Sequence, residues 1–77
     1  MGEIIHYKVD GEPQKTTERV LTARQILVAA KLNPETQYLI QLEGHEQISY
    51  KDDPDKKIEM HDGQRFISNH IGPVPVS

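Results

Sequence analysis

The chain contains no cysteine. That excludes disulfide staples, thiolate nucleophiles and zinc sites built on cysteine, and it leaves nothing that argues for an oxidising compartment. Tryptophan is also absent and phenylalanine occurs once, so a core has to be assembled mainly from aliphatic side chains. With 35% hydrophobic residues in a chain of 77, one domain with one core is expected, because a polypeptide this short buries only about 60% of its unfolded surface. Too little interior remains to wall off a deep substrate pocket. Long apolar runs are missing as well. None approaches the ~18 residues of a membrane span, and the opening MGEIIHYKVD has neither the basic nor the apolar region of a signal peptide. His6 stands where a myristoylation signal needs Ser or Thr. A cytoplasmic, soluble protein is the expectation. Clustered basic residues are the last absence: nine Lys and Arg are scattered over a chain of net charge −3, which argues against nucleic acid as a partner.

What is present is a set of short periodic segments. From Glu3 to Val9 the residues alternate, placing Ile5, Tyr7 and Val9 on one face and Ile4, His6 and Lys8 on the other, as a half-buried strand requires. Asp10 and Gly11 tolerate positive φ and predict a hairpin into a second strand over Gln14 to Val20, with Pro13 at its start or edge.

The segment LTARQILVAAKLNP is the clearest signal. Thr22 with Gln25 three positions on forms a capping box, and Leu21 with Ile26 forms a hydrophobic staple. At about 100° per residue, Ala23, Ile26, Leu27 and Ala30 fall on one stripe while Arg24, Gln25, Val28 and Lys31 lie off it. Asn33 and Pro34 are expected to close the helix. QYLIQLEG then reads as a strand ended by Gly44, followed by a weaker extended piece over Gln47 to Tyr50 and an acidic turn, KDDPDKK. KKIEMHDG reads as a short helical turn or an irregular arm anchored by Ile58 and Met60, and Gly63 admits a last strand from Gln64 to Ser68. A hairpin, one helix and a second strand pair give a two-layer α+β domain, a mixed four- to five-stranded sheet with the helix across one face. That arrangement is a β-grasp. The expected division is a domain over 1–68 and a flexible tail over 69–77.

In order and spacing, the VDG turn, the LTARQIL helix start, ILVAAKLNPETQYLI, the DDPD turn and the closing GQRFIS resemble the bacterial multiubiquitin family of ubiquitin-like proteins. The likeness runs from about Ile5 to Ser68. On the residues themselves, neither catalysis nor a cofactor is expected; the likeness implies a β-grasp domain used as a protein tag or interaction module. It further implies partners resembling ubiquitin-activating (E1-like) and ubiquitin-conjugating (E2-like) enzymes and a JAB-type metallopeptidase, in pathways linked to conjugation and antiviral defence. Members of that family carry tandem domains, whereas this sequence holds one, so a complete modifier and a single unit of an array both fit.

A modifier is activated at its C-terminal carboxylate. Glycine suits passage through an activating enzyme because it lets another backbone approach closely, and Gly72 is the only glycine after the last expected strand. Ubiquitin-like modifiers usually present two. Exposing Gly72 requires removal of five residues, beginning with Pro73, whose tertiary amide offers a protease no N–H. Activation at Ser77 and an inert, extended tail are the alternatives, and a non-covalent adaptor or a sulfur carrier would share the fold.

If Ile5, Tyr7 and Val9 face the helix, Ile4 lies outward, joined by one of Leu39 and Ile40 and one of Phe66 and Ile67; resemblance to the patch of ubiquitin-like proteins implies Ile40 and Ile67, so Ile4, Ile40 and Ile67 are the expected partner-binding surface. The histidines, His6, His45, His61 and His70, have no local ligand spacing and read as surface or structural residues. Asp52, Asp53 and Asp55 lack the alternation of a calcium loop and read as a solvated turn. His61 and Asp62 have no activated hydroxyl beside them. No catalytic or metal-binding residue is expected.

Overall fold

The computed structural model describes residues 2–72. Its elements are β1 (Ile5–Val9), β2 (Glu12–Thr16), β3 (Val20–Thr22), α1 (Ala23–Ala29), β4 (Gln37–Glu43), β5 (Glu46–Ser49), β6 (Lys57–Glu59) and β7 (Gln64–His70). Five strands form one mixed sheet in the order β2-β1-β7-β4-β5, and β3 pairs with β6 in a separate two-stranded ribbon. Only β1 and β7 run parallel; β1–β2, β4–β5 and β4–β7 are antiparallel. The parallel pair joins the first strand to the last, and the connection between them contains the helix.

Each early element has a local cause. Asp10 and Gly11 take φ of 52° and 79°, and Val9 lies opposite Glu12, so the hairpin closes on the two positive-φ residues expected of it. The Asp10 amide also donates to the Phe66 carbonyl at 2.9 Å, and its carboxylate accepts from the Ser68 amide at 2.7 Å and from the Ser68 hydroxyl. The hairpin tip is thereby fastened to β7.

The capping box forms as read: the Gln25 amide donates to Thr22 Oγ1 at 3.1 Å, and the Thr22 amide to Gln25 Oε1 at 2.8 Å. Two further helix-start amides find the acidic turn. Ala23 donates to the Lys56 carbonyl at 3.2 Å and Arg24 to the Pro54 carbonyl at 2.8 Å. Orphan donors of the first turn are satisfied from both sides.

Ala23, Ile26 and Leu27 of the helix meet Tyr7, Val9, Leu39, Ile58, Met60 and Phe66 in one cluster. Ala30 and Leu21 pack against it, and Val28 is exposed. Tyr7 and Phe66 meet edge to face, with ring centroids 5.9 Å apart and planes at 90°, a favourable aromatic geometry.

Four expectations about boundaries are corrected. The segment after the hairpin is two short strands on different sheets, β2 and β3, rather than one strand over Gln14 to Val20. The region around Ile58 is a strand, β6, paired Leu21↔Ile58 with β3, not a helical turn or an arm. Lys31, at φ 64°, takes the left-handed position after the helix, ahead of Asn33. Finally, β7 runs through His70, two residues past the expected end of the last strand at Ser68, because Asn69 and His70 pair with Tyr38 and Gln37.

Candidate functional site: the open face of the sheet and the chain end

Directly opposed residues of an antiparallel pair point to the same face, and successive residues alternate. In the β4–β7 pair, Leu39↔Ser68 and Gln41↔Phe66 turn toward the helix, since Leu39 and Phe66 are core. Ile40↔Ile67 must then face the other way. Ile40 is only 8% exposed, yet it stands outside the core cluster. On the same face of the sheet, Tyr38, Leu42 and Ile67 are all half-buried. The Lys51 ammonium lies 5.7 Å from the centre of the Tyr38 ring, within cation–π range.

The three expected patch residues are not all brought together. Ile40 and Ile67 are register partners in neighbouring strands. Ile4 is 53% exposed and precedes β1. Lys8 is level with Arg65 across the parallel pair, so Ile4 and Ile67 are offset by six strand positions, roughly 20 Å at ~3.3 Å per residue. Ile4 therefore does not belong to the same patch. Tyr38 and Leu42, which the expectation omitted, flank Ile40 on β4; their alternation with Ile40 in QYLIQLE was the signal that finds them.

The last strand, β7, lies in the middle of the sheet, held by β1 on one side and β4 on the other. The Ile71 amide still donates to the Thr36 carbonyl at 2.9 Å. Gly72 follows, exposed, at φ 79°, and among the described residues, its chain neighbours aside, no atom lies within 4 Å of where a Cβ would stand. Glycine is required there by backbone conformation and not by crowding. Pro73 to Ser77, including the Ser77 carboxylate, lie outside the described residues.

His6, His45, His61 and His70 are all exposed, and among the described residues no three His, Cys, Asp or Glu side chains are gathered to hold a metal ion. The Asp62 carboxylate accepts from the His6 amide at 2.8 Å, so it is committed to fastening the turn before β7 against β1. Asp55 pairs with Arg24 Nε at 3.0 Å, beside the carbonyls that cap the helix. Among the described residues no helix is long and apolar enough to cross a membrane.

No family model matches the chain, and no curated protein or solved structure matches it either. The likeness to the multiubiquitin family rests on the motifs quoted above.

Proposed function

We propose that this α+β domain is a ubiquitin-like β-grasp and that it works as a protein modifier, a non-enzymatic tag in a cytoplasmic, bacterial ubiquitination-like pathway of the kind linked to antiviral defence. E1-like and E2-like enzymes would activate its C-terminal end and join it to protein targets, and a JAB-type metallopeptidase would process or remove it. One observation carries the reading: the central strand holds the chain through Ile71, and no described residue beyond its chain neighbours approaches the next residue, Gly72. A backbone that leaves the sheet at Gly72 can be reached by another protein's active site without unravelling the sheet. With no Cβ, Gly72 also lets an enzyme backbone approach its carbonyl closely.

Two routes lead to an activated carboxylate. Hydrolysis of the Gly72–Pro73 bond would expose Gly72, or the Ser77 carboxylate would be adenylated directly. Intact mass of the chain, co-expressed with the genes that neighbour its own, tests both. The expected product ends at Gly72 or is joined to another protein. A Gly72→Ala variant is expected to lose the Gly72-ended product, whereas activation at Ser77 would survive that change. A thiocarboxylate mass would instead identify a sulfur carrier. An unchanged mass under all conditions would sink the modifier reading and favour a non-covalent adaptor, a second reading that the open face around Ile40 and Ile67 supports by itself.

A further inference from the structure

The main sheet ends in β2 on one side and β5 on the other, and the backbone groups that each edge offers follow from the bonds already made. The Tyr50 amide donates to the Leu39 carbonyl at 2.9 Å. By alternation, Gln41 with Ile48 and Glu43 with Glu46 are the next hydrogen-bonded pairs between β4 and β5. Gln47 and Ser49 therefore turn amide and carbonyl outward. At the other edge the His6 carbonyl accepts from the Gly63 amide at 2.9 Å, on the side of β7. Tyr7 then bonds to Gln14, and Pro13 and Lys15 are the outward residues of β2. Pro13 has no N–H, which blunts that edge. β5 contains no proline, and its outward row is complete. Ile48 of β5 is half-buried, yet it stands outside the core cluster.

We propose that two copies of this chain pair through β5, antiparallel about a two-fold axis at Ile48, and join their five-stranded sheets into one. The edge is complementary to itself in that register. Gln47 of each copy meets Ser49 of the other, and the two pairs exchange about four hydrogen bonds. Ile48 meets Ile48 of the second copy at the closer, non-hydrogen-bonded position. Sliding the second copy by two residues loses bonds either way. One direction calls on the Lys51 amide, already given to Ser49 Oγ at 3.2 Å, and the other calls on His45, in the turn beside Gly44 at φ 60°. Charge does not oppose the pairing within the strand. Glu46 falls level with Tyr50 of the second copy, and the two Glu46 positions stand about 14 Å apart, beyond a screening length of about 8 Å at physiological salt. At the margin, His45 comes level with Lys51, a pair of like charge only when the imidazole is protonated. Past Lys51 the chain leaves the sheet, the Asp53 amide bonding back to the Tyr50 carbonyl at 3.2 Å. Pairing uses both β5 edges and leaves the two Pro13-blunted β2 edges outermost, so the assembly closes at two copies. Both helices then lie on one side, and both Ile40–Ile67 faces lie together on the other. The contact is small beside those of stable dimers, which places its dissociation constant on the order of 0.1–1 mM.

The test is sedimentation equilibrium with amide spectra of the isotopically labelled full chain, from about 20 μM to about 2 mM, a range that brackets the expected constant. The expected result is an average mass that climbs from 8.8 kDa toward twice that value, shifts confined to Glu46 through Tyr50, and slowed exchange of the Gln47 and Ser49 amides at the top concentration. Gln47→Pro removes an outward amide and no bond within the chain, so its spectrum should stay dispersed while its mass stays that of one copy. Ile48→Lys and Ile48→Glu each set like charges against one another on the axis. Each alone should remain single, and their equimolar mixture should pair at least ~10-fold more tightly than either. The proposal is overturned if the parent keeps the mass of one copy throughout, if Gln47→Pro pairs as well as the parent, if the mixture pairs no better than its components, or if the shifts fall on β2 or around Ile40 and Ile67. None of these readouts involves the tail, so failure here leaves the modifier reading standing, and an unconjugated chain leaves this one standing.

Discussion

At the scale of single residues, Lys31 is the position where sequence and structure disagree most usefully. The Leu32 amide donates to the Leu27 carbonyl at 2.9 Å and the Lys31 amide to the Val28 carbonyl at 3.0 Å, the two bonds of a Schellman turn. Lys31 must therefore adopt φ 64°, which costs an L-residue about 1–2 kcal/mol. Asn33 has the better preference for that conformation, but Leu32 packs against the core and fixes the exit two residues earlier. Packing overrides preference, which is why the end of the helix was misplaced by reading preferences alone. Asn33 serves the next turn, its side chain accepting from the Glu35 amide at 2.9 Å. Lys31→Gly should raise stability by about 0.5–1 kcal/mol once the greater freedom of glycine in the unfolded chain is subtracted. Urea unfolding at unchanged slope measures this, and an unaltered or lower midpoint would refute it.

Residue-scale burial also decides which substitutions can test the open face. Ile40 is outward by register yet 8% exposed. Ile40→Asp would bury a charge with no partner, so its expected effect is loss of the fold rather than selective loss of binding. Ile67 is half-buried beside it, and Ile67→Ser is the cleaner probe. Phe66, 1% exposed and packed on Tyr7, marks the opposite limit. Phe66→Ala should cost about 3–5 kcal/mol, a large share of the roughly 4–12 kcal/mol expected of a domain this size. A folded fraction little changed in far-ultraviolet circular dichroism and thermal unfolding would contradict that estimate.

At the scale of elements, legibility follows how local the cause is. The capping box at Thr22 and the hairpin at Asp10–Gly11 depend on residues within four positions of one another, and both form as expected. The β3–β6 ribbon depends on a contact between Leu21 and Ile58, and each strand has three residues, too few to display an alternation. Asn69 and His70 are polar and exposed, and only their pairing with β4 makes them strand. Of the proposed patch, alternation narrows the outward residues to one of Leu39 and Ile40 and one of Phe66 and Ile67, and the choice of Ile40 and Ile67 rests on the resemblance; the distance to Ile4 depends on the parallel register of β1 and β7, which no local pattern encodes. The helix start combines both kinds of cause: Thr22 is local, and the Pro54 and Lys56 carbonyls come from the acidic turn. Thr22→Ala should cost about 1 kcal/mol. Asp55→Ala removes only an exposed ion pair and should cost less than ~1 kcal/mol. Chemical denaturation of the two variants side by side measures the order, and an Asp55 effect larger than the Thr22 effect would mean that the ion pair, not the cap, holds the turn in place.

For the molecule as a whole, two partly buried tyrosines tie stability to pH on the alkaline side. Burial raises the Tyr7 phenol above its usual value near 10. It does the same for Tyr50, with the Glu43 carboxylate adding to the rise. Tyr50 also donates its hydroxyl to Gln41 Oε1 at 2.9 Å, a bond its ionised form cannot make. Between the unfolded and the folded pKa the native state holds protons that the unfolded chain has released, so stability falls as pH rises. The contribution is fully present below about pH 9, begins to disappear near the unfolded value of about 10, and is gone once pH exceeds the raised folded values. Tyr7 and Tyr50 both contribute, so the alkaline limb of the parent chain alone does not isolate the effect of Tyr7. Tyr7→Phe does: it keeps the ring in the edge-to-face contact with Phe66 and removes the only group there that can ionise. Its stability relative to the parent should therefore improve steadily as pH climbs from about 9 to 11. Denaturation series at several pH values, followed by ellipticity and by tyrosinate absorbance, give that difference directly. Parallel alkaline limbs for the two chains would show that Tyr7 ionises as freely in the folded state as in the unfolded one, and that the core around Phe66 admits water.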